Sequence, residues 1–185
     1  MRRREFMTYV GGAVAWPVVA RAQQPAMPVV GFMSAASPLG EAFYVTAFRN
    51  GLKEGGYVEG SNVAIEYRWA DGHVERLPDF AADLINRKVA AIFADTPSAL
   101  AAKSVTSAIP IVFSSGGDPV KLGLVASLNQ PGGNTTGASF LVSTLAPKRL
   151  ELLHQMKPTA TAVGYLLNPD YPGGKAEAIE TEAAD

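Results

Sequence analysis

Hydrophobic positions along this chain follow two rhythms that take turns. Unbroken apolar runs a few residues long occupy 28–34, 89–95, 109–114 and 162–168, each bounded by turn formers. Runs of that length fit strands buried on both faces. Residues 62–69 alternate instead, with Val63, Ile65 and Tyr67 on one side, and predict an edge strand with one wet face. Between these runs the spacing turns helical. Phe43, Ala47, Phe48 and Leu52 mark a helix over 39–54 that Gly55 and Gly56 close. Leu77, Phe80, Ala81, Leu84 and Ile85 mark a second. Thr96, Pro97 and Ser98 open a third that runs to Val105, with proline in the first turn where its missing N–H costs nothing. Leu145, Leu150, Leu152, Leu153 and Met156 mark a fourth over 145–156. Residues 122–128 predict a short helix, 129–134 a turn cluster, 136–141 a short fifth strand, 169–174 a loop, and 175–185 a further helix still in progress at Asp185. Strand and helix alternating in this way predict an α/β fold with a mostly parallel sheet.

The first residues break the rhythm. Arg2, Arg3 and Arg4 precede a weakly apolar stretch from Thr8 to Ala20, and Ala20, Arg21 and Ala22 offer a small-residue cleavage point. That order is the layout of an export signal, and residues 3–7 resemble the twin-arginine kind. Gly11, Gly12 and Pro17 dilute the apolar stretch, and Arg21 charges the cleavage region, both in keeping with that kind. The stretch is about 13 residues long, and a membrane span needs roughly 20. The chain is therefore expected to be exported to a bacterial periplasm and cleaved near Ala22.

Composition removes several classes. Hydrophobic residues make up 48% of the 185 and charged residues 18%, the balance of an ordinary folded domain. The net charge is −1, and the arginine cluster belongs to the signal, so no basic surface is left to neutralise phosphates. No nucleic-acid partner is expected. Without cysteine there are no disulfides, and with two histidines there is little for a metal site. No metal and no cofactor are expected.

Candidate chemistry sits at the strands' carboxyl ends, where open parallel sheets bind ligands. Ser34, Ala35, Ala36 and Ser37 follow the first strand. Asp95, Thr96, Pro97 and Ser98 follow the third, and residues 114–118 (Ser-Ser-Gly-Gly-Asp) follow the fourth. Hydroxyls and helix-start N–H groups in three converging loops can hold a carboxylate or a polar amide. Singly, each loop is an ordinary helix cap. Tyr44, Tyr67, Phe43 and Phe140 are candidates for a pocket wall, with Phe43 and Phe140 better suited to a core. Asp95 fits a solvated carboxylate or a helix cap better than a partner for a ligand amine. Ser34 and Ser115 lack a nucleophile elbow, and His73 and His154 fall away from the strand ends, so a hydrolase is disfavoured. The glycines of 132–137 match no dinucleotide motif and read as a tight turn. The loops carry no Lys or Arg, which suits an amino acid-like or amide-like ligand with an apolar part better than a phosphate.

Residues 120–137 read Val-Lys-Leu-Gly-Leu-Val-Ala-Ser-Leu-Asn-Gln-Pro-Gly-Gly-Asn-Thr-Thr-Gly, and 147–153 read Pro-Lys-Arg-Leu-Glu-Leu-Leu. With the opening Val-Gly-Phe strand, the 49–57 helix end, the 66–70 strand and residues 117–120, this order resembles the periplasmic substrate-binding proteins of ABC transporters. The closest group includes tryptophan- and tyrosine-binding components. The similarity covers roughly residues 28–170. It implies a type I periplasmic binding fold, in which two α/β lobes joined by three crossing segments close on a ligand. A flavodoxin-like first lobe would occupy 28–141, a crossover helix and linker 142–161, and the start of an incomplete second lobe 162–185. The resemblance implies ligand contacts from Ser34, Ala35, Thr96, Pro97, Ser115, Gly116 and Asp118, and from Asn168 in the second lobe. It implies a solute receptor rather than an enzyme, with a small-molecule ligand and an inner-membrane ABC permease as partners. Membrane contact would come only through the signal or the permease. The alternatives are an exported redox enzyme or hydrolase, and a nonfunctional or regulatory fragment of a binding protein.

Overall fold

The apolar run after Pro28 forms β1 (Val29–Ser34), the second strand of a five-stranded parallel sheet in a computed structural model that describes residues 27–166. The export signal, Asn168, the loop at 169–174 and the helix expected over 175–185 lie outside the described residues. The chain proceeds through α1 (Ala42–Glu54), β2 (Ala64–Trp69), α2 (Leu77–Asn86), β3 (Ala91–Asp95), α3 (Thr96–Val105), β4 (Ile111–Ser115), β5 (Thr135–Ser139) and α4 (Ala146–Met156). The strand order is β2-β1-β3-β4-β5, all parallel. This is the doubly wound flavodoxin-like order, and it reverses direction between β1 and β3.

Strand alternation gives the sheet two unlike faces. On one side Met33, Ile92, Ala94, Ile111 and Phe113 are buried against Leu77, Ala81 and Leu84 of α2 and Ala99 and Ala102 of α3. On the other side Phe32 packs against Phe48 of α1 at 5.3 Å, Phe93 at 5.2 Å and Trp69 at 5.2 Å between ring centres. β2 takes the sheet edge, as its alternation predicts. Its polar side is not simply wet. Arg68 pairs with Asp83 of α2 and with Glu66, and Arg87 reaches Asp83 and Glu66. The two arginines hold the Asp83 carboxyl below the usual carboxylate range.

Three expectations fail for physical reasons. Residues 122–128 form no helix. The Asp118 carbonyl accepts the Leu122 N–H, Gly123 then turns left-handed at φ +73°, and Lys103 donates to the Gly123 and Leu124 carbonyls. One turn closes, and Leu124 and Val125 drop into the core as the crossover from β4 to β5. In α1 the half-buried positions are Val45, Phe48 and Leu52, and Phe43 and Ala47 point outward. Residue 43 lies about 200° around the helix from residue 45, so Phe43 is 77% exposed rather than core. Residues 162–166, the described part of the sixth expected strand, are exposed and form no strand. A buried strand needs ladder partners and cover on both faces, and no described residue supplies them there.

Candidate functional site

β1 lies at the switch point, so the loops that leave β1, β3 and β4 open side by side along one sheet edge. A cleft of about 700 Å³ forms there. Phe93, Tyr44 from the first turn of α1 and Phe140 beyond β5 supply its aromatic wall, with the buried Phe32 behind them. Val74 and Val142 add aliphatic cover, and Glu41 contributes a carboxylate next to α1.

The rim is tied by hydrogen bonds across loops distant in sequence. Asp95 caps α3 by accepting the Ser98 N–H at 3.0 Å with Oδ1. Its Oδ2 accepts the Ser34 hydroxyl at 2.9 Å and the Ala35 N–H at 2.8 Å. One carboxylate thus clamps the β1 loop to the start of α3. The Thr96 hydroxyl donates to the Ser115 hydroxyl at 3.0 Å, and Ser115 donates to the Gly117 carbonyl at 3.2 Å. Ser139 donates to that same carbonyl at 2.6 Å, which ties the end of β5 to the β4 loop. The Ala70 and Gly72 N–H groups donate to the Ser34 and Ala35 carbonyls, so the β2 loop is held as well.

Of the residues singled out in the sequence, Ser34, Ala35, Thr96, Pro97 and Gly116 line the cleft. Ser115 lies buried behind the rim and reaches the cleft only through Thr96. Asp118 is not at the cleft. Its carboxylate accepts the Val120 N–H at 2.8 Å and the Lys121 N–H at 3.2 Å, closing the turn after β4. Asn168 lies outside the described residues. The hydroxyls of Ser34 and Thr96 donate within the rim, so the cleft presents backbone edges, aromatic rings and the Glu41 carboxylate. Tyr44 and Phe140 stand on the wall, and Phe140 is 65% exposed rather than core. Tyr67 lies instead in the aromatic cluster beside Phe32, where Arg49 donates to its hydroxyl. Gly116 matters for space, since a Cβ there would stand 2.9 Å from Val142 Cγ2.

Sequence reasoning missed Glu41. Burial pushes its carboxyl above the usual range, and the negative charge of Asp95 pushes the same way. It caps nothing, although it stands at the N-cap of α1. The available signal was its place, a carboxylate at a helix start just after a small-residue loop that leaves the switch-point strand. His73 is exposed, with its Nδ1 3.1 Å from Glu75 Oε1. Among the described residues no group of three or more His, Asp or Glu side chains converges as metal ligands, and no helix is long and apolar enough to cross a membrane.

The sequence profile of the ABC transporter substrate binding protein family matches residues 17–184. This chain belongs to that family. The family is one of binding proteins, not of enzymes. The chain is 35% identical over 131 residues to a tyrosine-binding protein of Clostridioides difficile, covering 70% of this chain and 37% of that protein. Among solved structures, a conserved domain protein from Vibrio cholerae superposes with a TM-score of 0.78 at 28% identity, over 85% of this chain and 53% of the other. An ABC domain from Streptococcus pneumonia in complex with L-Trp superposes with a TM-score of 0.75 at 23% identity, over 86% and 53%. The ligand-free, open structure of a substrate binding protein with adhesive properties from Clostridium difficile gives 0.60 at 28% identity, over 84% and 52%. The chain therefore spans about half the length of these solved relatives. The α/β architecture is that of a periplasmic-binding-type lobe.

Proposed function

We propose that this chain carries the first ligand-holding lobe of an extracytoplasmic solute receptor for an ABC importer, and that its cleft takes a small aromatic amino acid. The observation that carries this is the cleft itself, with aromatic walls on a rim where Ser34, Thr96 and Asp95 are already hydrogen-bonded within the protein. Such a rim loses little on binding and offers aromatic side chains the stacking faces they need. The names of a tyrosine-binding relative and a tryptophan-bound relative support the same ligand class.

In this reading residues 1–22 export the chain to the periplasm, 28–141 form the first lobe, 142–161 lead across, and 162–185 begin a second lobe. Ser34, Ala35, Thr96, Pro97 and Gly116 would meet the ligand from the first lobe, with Ser115 and Asp118 holding the loops behind them. Asn168 would approach from the second. Closure of the lobes would bury the ligand and present the closed form to a permease.

Thermal melting of the full chain with a panel of twenty amino acids tests this. Tyrosine or tryptophan at ten times its dissociation constant should raise the midpoint by roughly 3–5 °C. Phe140→Ala should remove most of that shift. No shift from any aromatic amino acid, or equal shifts from lysine and glutamate, would overturn the proposal.

A further inference from the structure

We infer that Glu41 holds a cationic amine of the ligand, so that the cleft separates amine-bearing aromatic molecules from aromatic acids of the same size. The inference rests on the reading of the cleft as an aromatic-ligand site and names the group that would set its selectivity.

Glu41, Tyr44 and Asp95 are the titratable side chains that line the cleft, and no Lys or Arg among the described residues does. Both oxygens of Asp95 are committed, Oδ1 to Ser98 and Oδ2 to Ser34 and Ala35. Glu41 is different. Its carboxylate accepts no N–H of α1 and takes part in none of the side-chain hydrogen bonds or ion pairs found among the described residues. The charge it feels is Asp95, of its own sign. A part-buried carboxylate beside a second carboxylate, with no cation near, is in an unfavourable place for a purely structural group. A helix cap would have taken an N–H, and a solvated surface glutamate would not be raised by burial. An ammonium beside Glu41 would supply the missing countercharge and meet Asp95 favourably as well. Tyr44, three residues further along α1, and Phe140 across the cleft add ring faces on which a cation is also stabilised.

Three ligands that share an indole ring separate the possibilities: L-tryptophan, tryptamine without the carboxylate, and indole-3-propionate without the amine. Binding is read on the full chain from NMR shifts of the Ala35, Ala36 and Gly116 amides. Tryptophan and tryptamine should bind about tenfold or more tightly than indole-3-propionate, the scale of one charge-assisted hydrogen bond away from bulk water. Glu41→Gln should erase most of that preference and leave indole-3-propionate unchanged or tighter, while Glu41→Asp should keep part of it. Tryptamine should also lower the Glu41 titration midpoint, because a neighbouring cation favours the ionised carboxylate. An unchanged preference in Glu41→Gln, or an unmoved Glu41 titration at saturating tryptamine, overturns the inference and leaves the aromatic cleft standing. Failure of all three ligands to move those amides overturns the cleft reading and this inference with it.

Discussion

Asp95 joins two of the loops that border the cleft. It caps α3 and clamps the β1 loop through three hydrogen bonds. Asp95→Ala would remove the cap and leave the buried Ser34 hydroxyl and the Ala35 N–H short of a partner, a loss of about 2 kcal/mol by denaturant unfolding. Amide exchange at Ala35 should rise in the same variant. Glu41 works in the opposite direction. Its proton is held more tightly in the folded chain than in the unfolded one, where the ordinary value is 4.5. The ionised group therefore weakens the fold at neutral pH, and that cost fades as pH falls through the raised folded value toward 4.5. Glu41→Gln should melt slightly above the parent at pH 7, by less than about 1 kcal/mol because solvent screens a part-exposed carboxylate. The two curves should converge near pH 4. At this scale the rim was legible: Ser34, Thr96 and Asp95 stand at the strand ends where the apolar runs stop. What could not be read was which way their oxygens turn. Buried hydroxyls must find partners, and here the partner is 61 residues away for Ser34 and 19 for Thr96. No local spacing reports that.

β1, β3 and β4 were legible as short apolar runs and β2 as an alternating one, and each of the five strands begins and ends within two residues of its expected segment. Pro110, without an N–H, sits just outside β4 for that reason. Helix phase was harder. α1 carries apolar residues on more than one side, and only contact with Phe32 and Phe93 selects Phe48 as the inward one. The 122–128 segment has helical composition, yet Gly123 and the nearby glycines at 132 and 133, all at positive φ, make turns cheaper than continuation. β5 is the least apolar strand, and its centre depends on a missing side chain. A Cβ at Gly137 would collide with the backbone of Phe113, its register partner on β4. Backbone cannot step aside as a side-chain tip can. Gly137→Ala should therefore lower stability by about 3 kcal/mol, the upper part of the overpacking range. Urea unfolding should show it, with loss of amide protection on β4 and β5 first.

For the molecule as a whole, apolar cover is unevenly distributed. The sheet face under α2 and α3 is closed, whereas α4 buries only Ala146 among its described side chains. Leu152, Leu153 and Met156 on α4 and Val163, Tyr165 and Leu166 beyond it all stand exposed, Met156 at 82%. Leu153, Val163 and Tyr165 line a groove of about 550 Å³ between α4 and residues 160–165. An apolar patch of this extent, larger than scattered single residues, drives association in water. Among the described residues nothing covers this face, and a second copy of the chain offers a matching apolar surface. Sedimentation velocity should accordingly show a concentration-dependent dimer or larger species at micromolar protein. Leu153→Glu with Met156→Glu should return it to monomer and reduce binding of a hydrophobic dye. Neither residue touches the cleft, so tryptophan-induced shifts at Ala35 and Gly116 should persist in the double variant. A monomer at every concentration, with no dye binding, would mean that this face is already covered in solution.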